Sequence, residues 1–396
     1  MRLKVNCFSI YLFVFFLLLN FQTLGLTGWI KDEESSIKLY HLFSVFFIPC
    51  LLLVGSRNAL FKMPFFILEY FIGIILISLL LFLIYPFNRL LLNHVFAFYA
   101  FFIGYHLARI LSTEEIFSKL RQVVLVVSII IVGKLLFHIP EIRNFMKAPD
   151  GHPDIYTIYG GGTNLEATWL GLNSAIFVNR KRLFYILLII TFLVSILYAS
   201  RVGVVIAFLV AGFKFISSAT SYKERKSIIA LSVLAAVAFI ILVDLDNLAE
   251  KVYALKRFTD FGDSSDKGMA GRFAMWQYYG TALWESKLMG YGAGNGMYAI
   301  ESVSGNDYPE DNLHNLYMQI LLEFGCLGLL LYLIIVYNIS FKAFKARLVN
   351  PIAIVLLIYF IASLIQFRGT DALIWFFMGI FLQTDSNRVN FASNEA

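Results

Sequence analysis

Arg201 in "YASRVG", Arg272 in "GMAGRFAMW", His314 heading "HNLYMQILLEFGCLG" and Arg368 in "FRGTD" carry side chains that packing alone explains poorly. A histidine, with an ordinary pKa of about 6.5, can accept a proton near neutral pH. An arginine keeps its charge and presents a planar fork that matches phosphate oxygens. Together these residue types suit a reaction in which a hydroxyl is activated and an anionic phosphate departs or is held. Asn315 beside the histidine, Asn164 and Glu166 in "YGGGTNLEATW", and Arg143 are further candidates for substrate contacts. Each has a plainer reading: a histidine or arginine at the edge of an apolar run is often an interfacial anchor, and loop arginines are common. His41, His94, His106, His138 and His152 are left as structural or unassigned. The acids Asp260, Asp263, Asp266, Asp307, Glu310 and Asp311 show no clear ligand spacing, so no metal is expected. Cys7, Cys50 and Cys326 lie far apart inside apolar segments and read as packing residues.

The elements that must position these side chains are membrane helices. The chain of 396 residues is 59% hydrophobic and only 15% charged, with a mean hydropathy of +0.76. Soluble domains carry about 25% charged residues. The net charge of +6 does not indicate nucleic acid, because the basic residues sit in short clusters between apolar runs. Spans of about 20 apolar residues are read near 5–25, 39–55, 65–85, 90–111, 122–139, 165–179, 183–199, 202–217, 228–244, 314–337, 351–367 and 371–385. The expected fold is an all-α polytopic membrane protein with about 12 transmembrane helices and one large periplasmic loop containing amphipathic helices. Residues 1–244 hold helices one to nine, 245–313 the loop, and 314–396 the last three. The first run has no convincing cleavage site and is read as a retained helix. No internal repeat of the transporter kind is visible. Lys and Arg are concentrated in alternate short loops, which places both termini in the cytoplasm. Arg201, Arg272, His314, Arg368 and the segment "PDGHPDIYTIYGGGTNLEATW" then fall on the outer side, where the site is expected.

Two local readings follow. Phe273, Trp276, Tyr279 or Gly280, and Leu283 recur at helical spacing, which suggests an amphipathic helix on the membrane face. "GYGAGNGMY" after it is too glycine-rich for a helix and reads as a flexible or closely packed turn. If 314 onward is one helix, Gly325 and Gly328 return to the His314 side and permit close helix packing. Asn315, Gln319 and Glu323 then form a separate polar stripe, with Glu323 about 13 Å deeper than His314 and in need of a partner within the bundle. Lys134 and Glu69, both inside spans, must likewise be paired or face a polar cavity.

His-Asn, nine residues, Gly, two residues, Gly, together with "SR" at Ser200–Arg201, "GR" at Gly271–Arg272 and "LMGYGAGNGMY", resembles the bacterial O-antigen polymerase and O-antigen ligase superfamily. The likeness runs over roughly residues 155–340; the first five helices match in hydropathy alone. It implies a GT-C type membrane glycosyltransferase of the inner membrane. Such enzymes work at the periplasmic face on an undecaprenyl-diphosphate-linked oligosaccharide, without nucleotide sugar, metal or other cofactor. On that resemblance His314 is the general base or acceptor-orienting group, and Arg201 and Arg272 are diphosphate ligands. Membrane lipids surround the enzyme, the pathway's chain-length regulator and flippase are its candidate protein partners, and no nucleic acid is involved. The "YGGGTNLEATWLGLN" region favours a polymerase, which extends a lipid-linked repeat unit, over a ligase, which transfers to lipid A-core. A lipid-linked oligosaccharide flippase would also carry cations for an anionic lipid, but midplane charges or inverted repeats would be expected of it. A structural scaffold leaves the outer arginines and the histidine unexplained.

Overall fold

The computed structural model describes residues 2–25, 28–29, 37–47, 49, 63–147, 153–218, 267–308, 312–345, 350–367 and 369–393. Among the described residues the regular elements are helices, apart from a two-residue antiparallel ladder pairing Leu24 with Trp29 and Gly25 with Gly28 and an isolated bridge between Gly25 and Lys38. The helices are α1 (Arg2–Asn20), α2 (Leu39–Val45), α3 (Phe65–Leu81), α4 (Leu91–Ile110), α5 (Thr113–Phe137), α6 (Ile139–Lys147) and α7 (Gly162–Ser174). They continue as α8 (Lys181–Leu197), α9 (Arg201–Ser218), α10 (Lys267–Glu285), α11 (Gly296–Ser304), α12 (Leu316–Lys345), α13 (Pro351–Ala362) and α14 (Ala372–Ser393). By length and composition α4, α5 and α12 can each cross a membrane, and the apolar stretches Asn6–Asn20, Phe65–Leu81, Pro351–Ala362 and Ala372–Thr384 are shorter. The span expected at 228–244 lies outside the described residues. Among the described residues the fold is thus all-α, as expected from the hydropathy pattern.

The chain divides into two compact units. The first comprises Met1–Lys119, Gly271–Phe344 and Tyr359–Ala396. Its tightest contact is between α4 and α14. A Cβ on Gly379 would stand 2.7 Å from the Tyr105 backbone nitrogen, and one on Gly104 would run into the Phe376 backbone. Small residues thus let two apolar helices meet backbone to backbone, which is how helices associate where no water drives them together. Aromatic rings fill the surroundings: Phe16 stacks on Phe376 at 5.7 Å and Tyr70 on Trp375 at 5.4 Å.

The second unit comprises Leu120–Ala270 and Lys345–Ile358. In it the short helix α7 is almost wholly buried and is packed by α8 and α9. A Cβ on Gly171 would lie 2.7 Å from Ile206, and one on Gly203 2.7 Å from the Ala167 Cβ. These close approaches make α7 a fixed platform beneath the α8–α9 connection.

Candidate active site

In the first unit, the stretch from His314 is not one continuous helix. Asn315 caps α12, its Oδ1 accepting from the Met318 N–H at 3.1 Å. The Leu316 N–H, another group without an intrahelical partner, donates to the Ser363 carbonyl at 2.9 Å. His314 itself sits in the left-handed region at φ 52°, a conformation that costs most residues energy but that histidine adopts more readily than most. Its N–H is held by Asn312 Oδ1 at 2.8 Å. The Leu313 N–H reaches forward to Gln319 Oε1 at 3.1 Å. Gln319 in turn donates through Nε2 to Glu323. The expected Gln319–Glu323 stripe is therefore present, and Glu323 has its partner.

The departure comes at Gly325, whose φ of 65° and ψ of −168° break α12. The glycine-rich segment after α10 docks into the break. The Tyr291 N–H donates to the Leu322 carbonyl at 3.0 Å, the Gly292 N–H to the Glu323 carbonyl at 2.8 Å, and the Cys326 N–H to the Leu288 carbonyl at 3.0 Å. Carbonyls freed by the missing helical turn thus find donors on a second chain segment, as an apolar setting demands. A Cβ on Gly290 would lie 2.5 Å from the Glu323 carbonyl oxygen, and one on Gly325 2.6 Å from the Met289 carbonyl. The expected role of Gly325 in helix–helix packing is corrected: it serves a backbone crossing. "GYGAGNGMY" is the closely packed turn, pinned further by Asn88 Nδ2 to the Gly294 carbonyl at 2.9 Å and Asn295 Nδ2 to the Pro86 carbonyl at 2.9 Å. Its last residues, from Gly296, already belong to α11.

Helix α10, which carries Arg272, is fastened to the His314 turn. Trp276 Nε1 donates to the Leu313 carbonyl at 3.0 Å, and the Tyr279 hydroxyl to the Met318 carbonyl at 3.2 Å. Arg272 is one turn before Trp276 and shares its side of the helix. The apolar face of α10 does not lie open. Met275 and Ala282 are buried, with Trp276, Tyr279 and Leu283 packed beside them, against Met297, Ile300, Leu313 and Leu322. Phe273, expected in the stripe, is instead 48% exposed. Burial pushes the Tyr291 phenol up to about 12 and raises that of Tyr279. Both hydroxyls therefore stay protonated donors at neutral pH, Tyr291 to the Ala282 carbonyl at 2.9 Å.

The second unit groups Asn164, Glu166 and Arg201. Helix α8 ends with Ala199 left-handed at φ 51° and with the Ser200 N–H returning to the Ser195 carbonyl at 2.8 Å, the wrapped helix end usually given to glycine. Ser200 then caps α9, its Oγ accepting from the Gly203 N–H at 3.1 Å. Arg201 is accordingly the first residue of α9 rather than a turn residue. Ser200 also donates to Asn164 Oδ1 at 2.6 Å. Lys134, the span lysine whose partner was unassigned, pairs with Glu166. Arg143 is exposed on α6, and Glu69 is exposed near the start of α3. Arg368 lies outside the described residues.

Residues 183–333 match the O-antigen ligase family. The match supports membership of the O-antigen polymerase and ligase superfamily. No curated protein matches the chain. The O-antigen ligase match contains Arg201, Arg272, His314, Asn315 and the glycine segment with its docking break. Asn164, Glu166, Arg143 and Arg368 fall outside it. The residues that sequence reasoning passed over are Asn312, Lys134 as the mate of Glu166, and Tyr198, and it placed Trp276 and Tyr279 in an apolar stripe without their hydrogen bonds. Asn312 had a signal, since an asparagine two residues before a turn residue commonly bonds that backbone.

Proposed function

We propose that this protein is an O-antigen polymerase, transferring a glycan from undecaprenyl diphosphate to a lipid-linked repeat unit at the periplasmic face of the inner membrane. The acceptor hydroxyl loses its proton to His314 as its oxygen bonds the anomeric carbon. The bond from that carbon to the carrier phosphate breaks, and its electron pair leaves with the diphosphate. Arg272 and Arg201 stabilise that charge through charge-assisted hydrogen bonds. Asn315, Arg143 and Arg368 are proposed contacts for the glycan or its carrier. The observation that carries the reading is the fastening of α10 to the His314 turn by Trp276 and Tyr279. It ties the helix that carries Arg272 to the backbone beside His314, in a segment that matches a family of glycosyltransferase-like enzymes.

The description of the matched family favours a second reading, a ligase that delivers the glycan to lipid A-core. Deleting the gene and resolving the cell's glycolipids on a gel separates them. Core bearing a single repeat unit supports the polymerase. Naked core with polymer retained on the carrier supports the ligase. An unchanged glycolipid profile overturns both.

A further inference from the structure

In the second unit, Glu166 is fully buried and its carboxylate is surrounded by donors. Oε1 accepts from the Tyr198 hydroxyl at 2.6 Å and from Lys134; Oε2 accepts from the Ile158 N–H at 2.7 Å. The Lys134 ammonium also stands 5.5 Å from the centre of the Tyr198 ring. Tyr198 closes α8 immediately before left-handed Ala199. On the other side of that alanine, Ser200 is held by Asn164, two residues from Glu166 on the same helix. Helix α7 therefore grips the α8–α9 turn on both flanks of its strained residue, and the next residue is Arg201.

We infer that Glu166 is a positioning residue, the hub of a Lys134–Glu166–Tyr198 network that works with Asn164 to fix the Ser200–Arg201 turn. The inference rests on the proposed role of Arg201 as a diphosphate ligand. A lysine inside a span needs a carboxylate merely to be tolerated. That need explains Lys134 and Glu166, but not why two further side-chain bonds of α7, Glu166 to Tyr198 and Asn164 to Ser200, fall on this one turn. A guanidinium can meet two phosphate oxygens at once only if its backbone is fixed, so loss of a grip acts on Arg201 without removing it.

The test uses the full-length protein in detergent with the substitutions Tyr198→Phe, Asn164→Ala and Glu166→Gln. Three quantities are read: the thermal melt, the rate at which phenylglyoxal modifies Arg201 (followed on its peptide by mass spectrometry), and affinity for undecaprenyl diphosphate. Tyr198→Phe and Asn164→Ala should each keep a cooperative melt, change the Arg201 modification rate, and weaken carrier binding by about two- to tenfold, the worth of one hydrogen bond. Neither should weaken binding further in an Arg201→Ala background, because a positioning group has nothing left to position. Should Glu166→Gln fail to fold, these two variants still decide the matter. An unchanged Arg201 modification rate in both, or losses that multiply with Arg201→Ala, overturns the inference. Normal carrier binding by Arg201→Ala alone instead overturns the diphosphate role, and the modification rates still report whether the turn is held.

Discussion

Replacing Gly325 with alanine should damage the protein out of proportion to one methyl group. At φ 65° and ψ −168° the residue occupies backbone space that is essentially glycine's alone, where another residue costs about 1–3 kcal/mol. The added Cβ would stand 2.6 Å from both the carbonyl carbon and the oxygen of Met289, with the Leu288 oxygen nearer still. These are backbone atoms, so no side chain can swing aside. Rewinding into a regular helix avoids the strain but strips the glycine segment of its bonds to Leu322, Glu323 and Cys326. At about 0.5–1.5 kcal/mol each, three such bonds are worth about 1.5–4.5 kcal/mol. The routes thus cost about 1–3 kcal/mol before the backbone clash is counted, or about 1.5–4.5 kcal/mol, enough to lower the melting temperature of detergent-purified protein by several degrees. Gly290→Ala should behave alike, since its Cβ meets the Glu323 carbonyl, and the double variant should lose less than the sum. Gly133→Ala is the control: its Cβ meets nothing within 4 Å, and alanine in a helix is favoured by about 0.8–1 kcal/mol. If Gly325→Ala melts at or above the parent as the control does, α12 is continuous and the docking of the glycine segment is wrong.

Three further outcomes are expected. His314→Asn, which tolerates the left-handed backbone, should abolish transfer with a near-normal melt, whereas Glu323→Ala should lower the melt by stranding Gln319; full transfer by His314→Asn removes the proton acceptor from the mechanism. Arg272→Lys should be impaired and Arg272→Ala worse, by about ten- to a hundredfold in initial transfer rate, the worth of one charge-assisted hydrogen bond; wild-type rates and carrier binding in the alanine variant would assign Arg272 to folding alone. A single cysteine at exposed Asn306 should react with a membrane-impermeant maleimide from the periplasm and one at exposed Arg182 should not; the reverse pattern moves the whole assignment to the cytoplasmic side.

The helices were legible because lipid enforces them: an apolar run has no other way to satisfy its backbone. The Gln319–Glu323 pair and the need of Lys134 for a partner followed from the same rule, since four-residue spacing and an intramembrane charge leave few options. Gly325 was misread because an isolated glycine in a helical pattern is usually tolerated. What breaks the helix there is a donor supplied by residues 288–292, and no local pattern announces a crossing. The α10 stripe was read through Phe273 because aromatic bulk draws attention, while the buried positions are Met275 and Ala282. Arg201 moved from turn to helix by one residue, the usual uncertainty at a boundary; the serine before it was the available cap signal.

The interlocked glycines change what counts as a module. Drawn by topology, residues 245–313 are a loop and 314 begins a helix, so a chimera between related enzymes would be cut at their junction. The peptide planes of Leu288 to Gly292 and of Leu322 to Cys326 are, however, two halves of one joint. A graft that carries the loop without the head of α12 inherits a tenon without its mortise. The smallest piece that can be exchanged intact runs from α10 past Cys326, and substitutions at Gly290 and Gly325 should be tolerated by related proteins only when they change together.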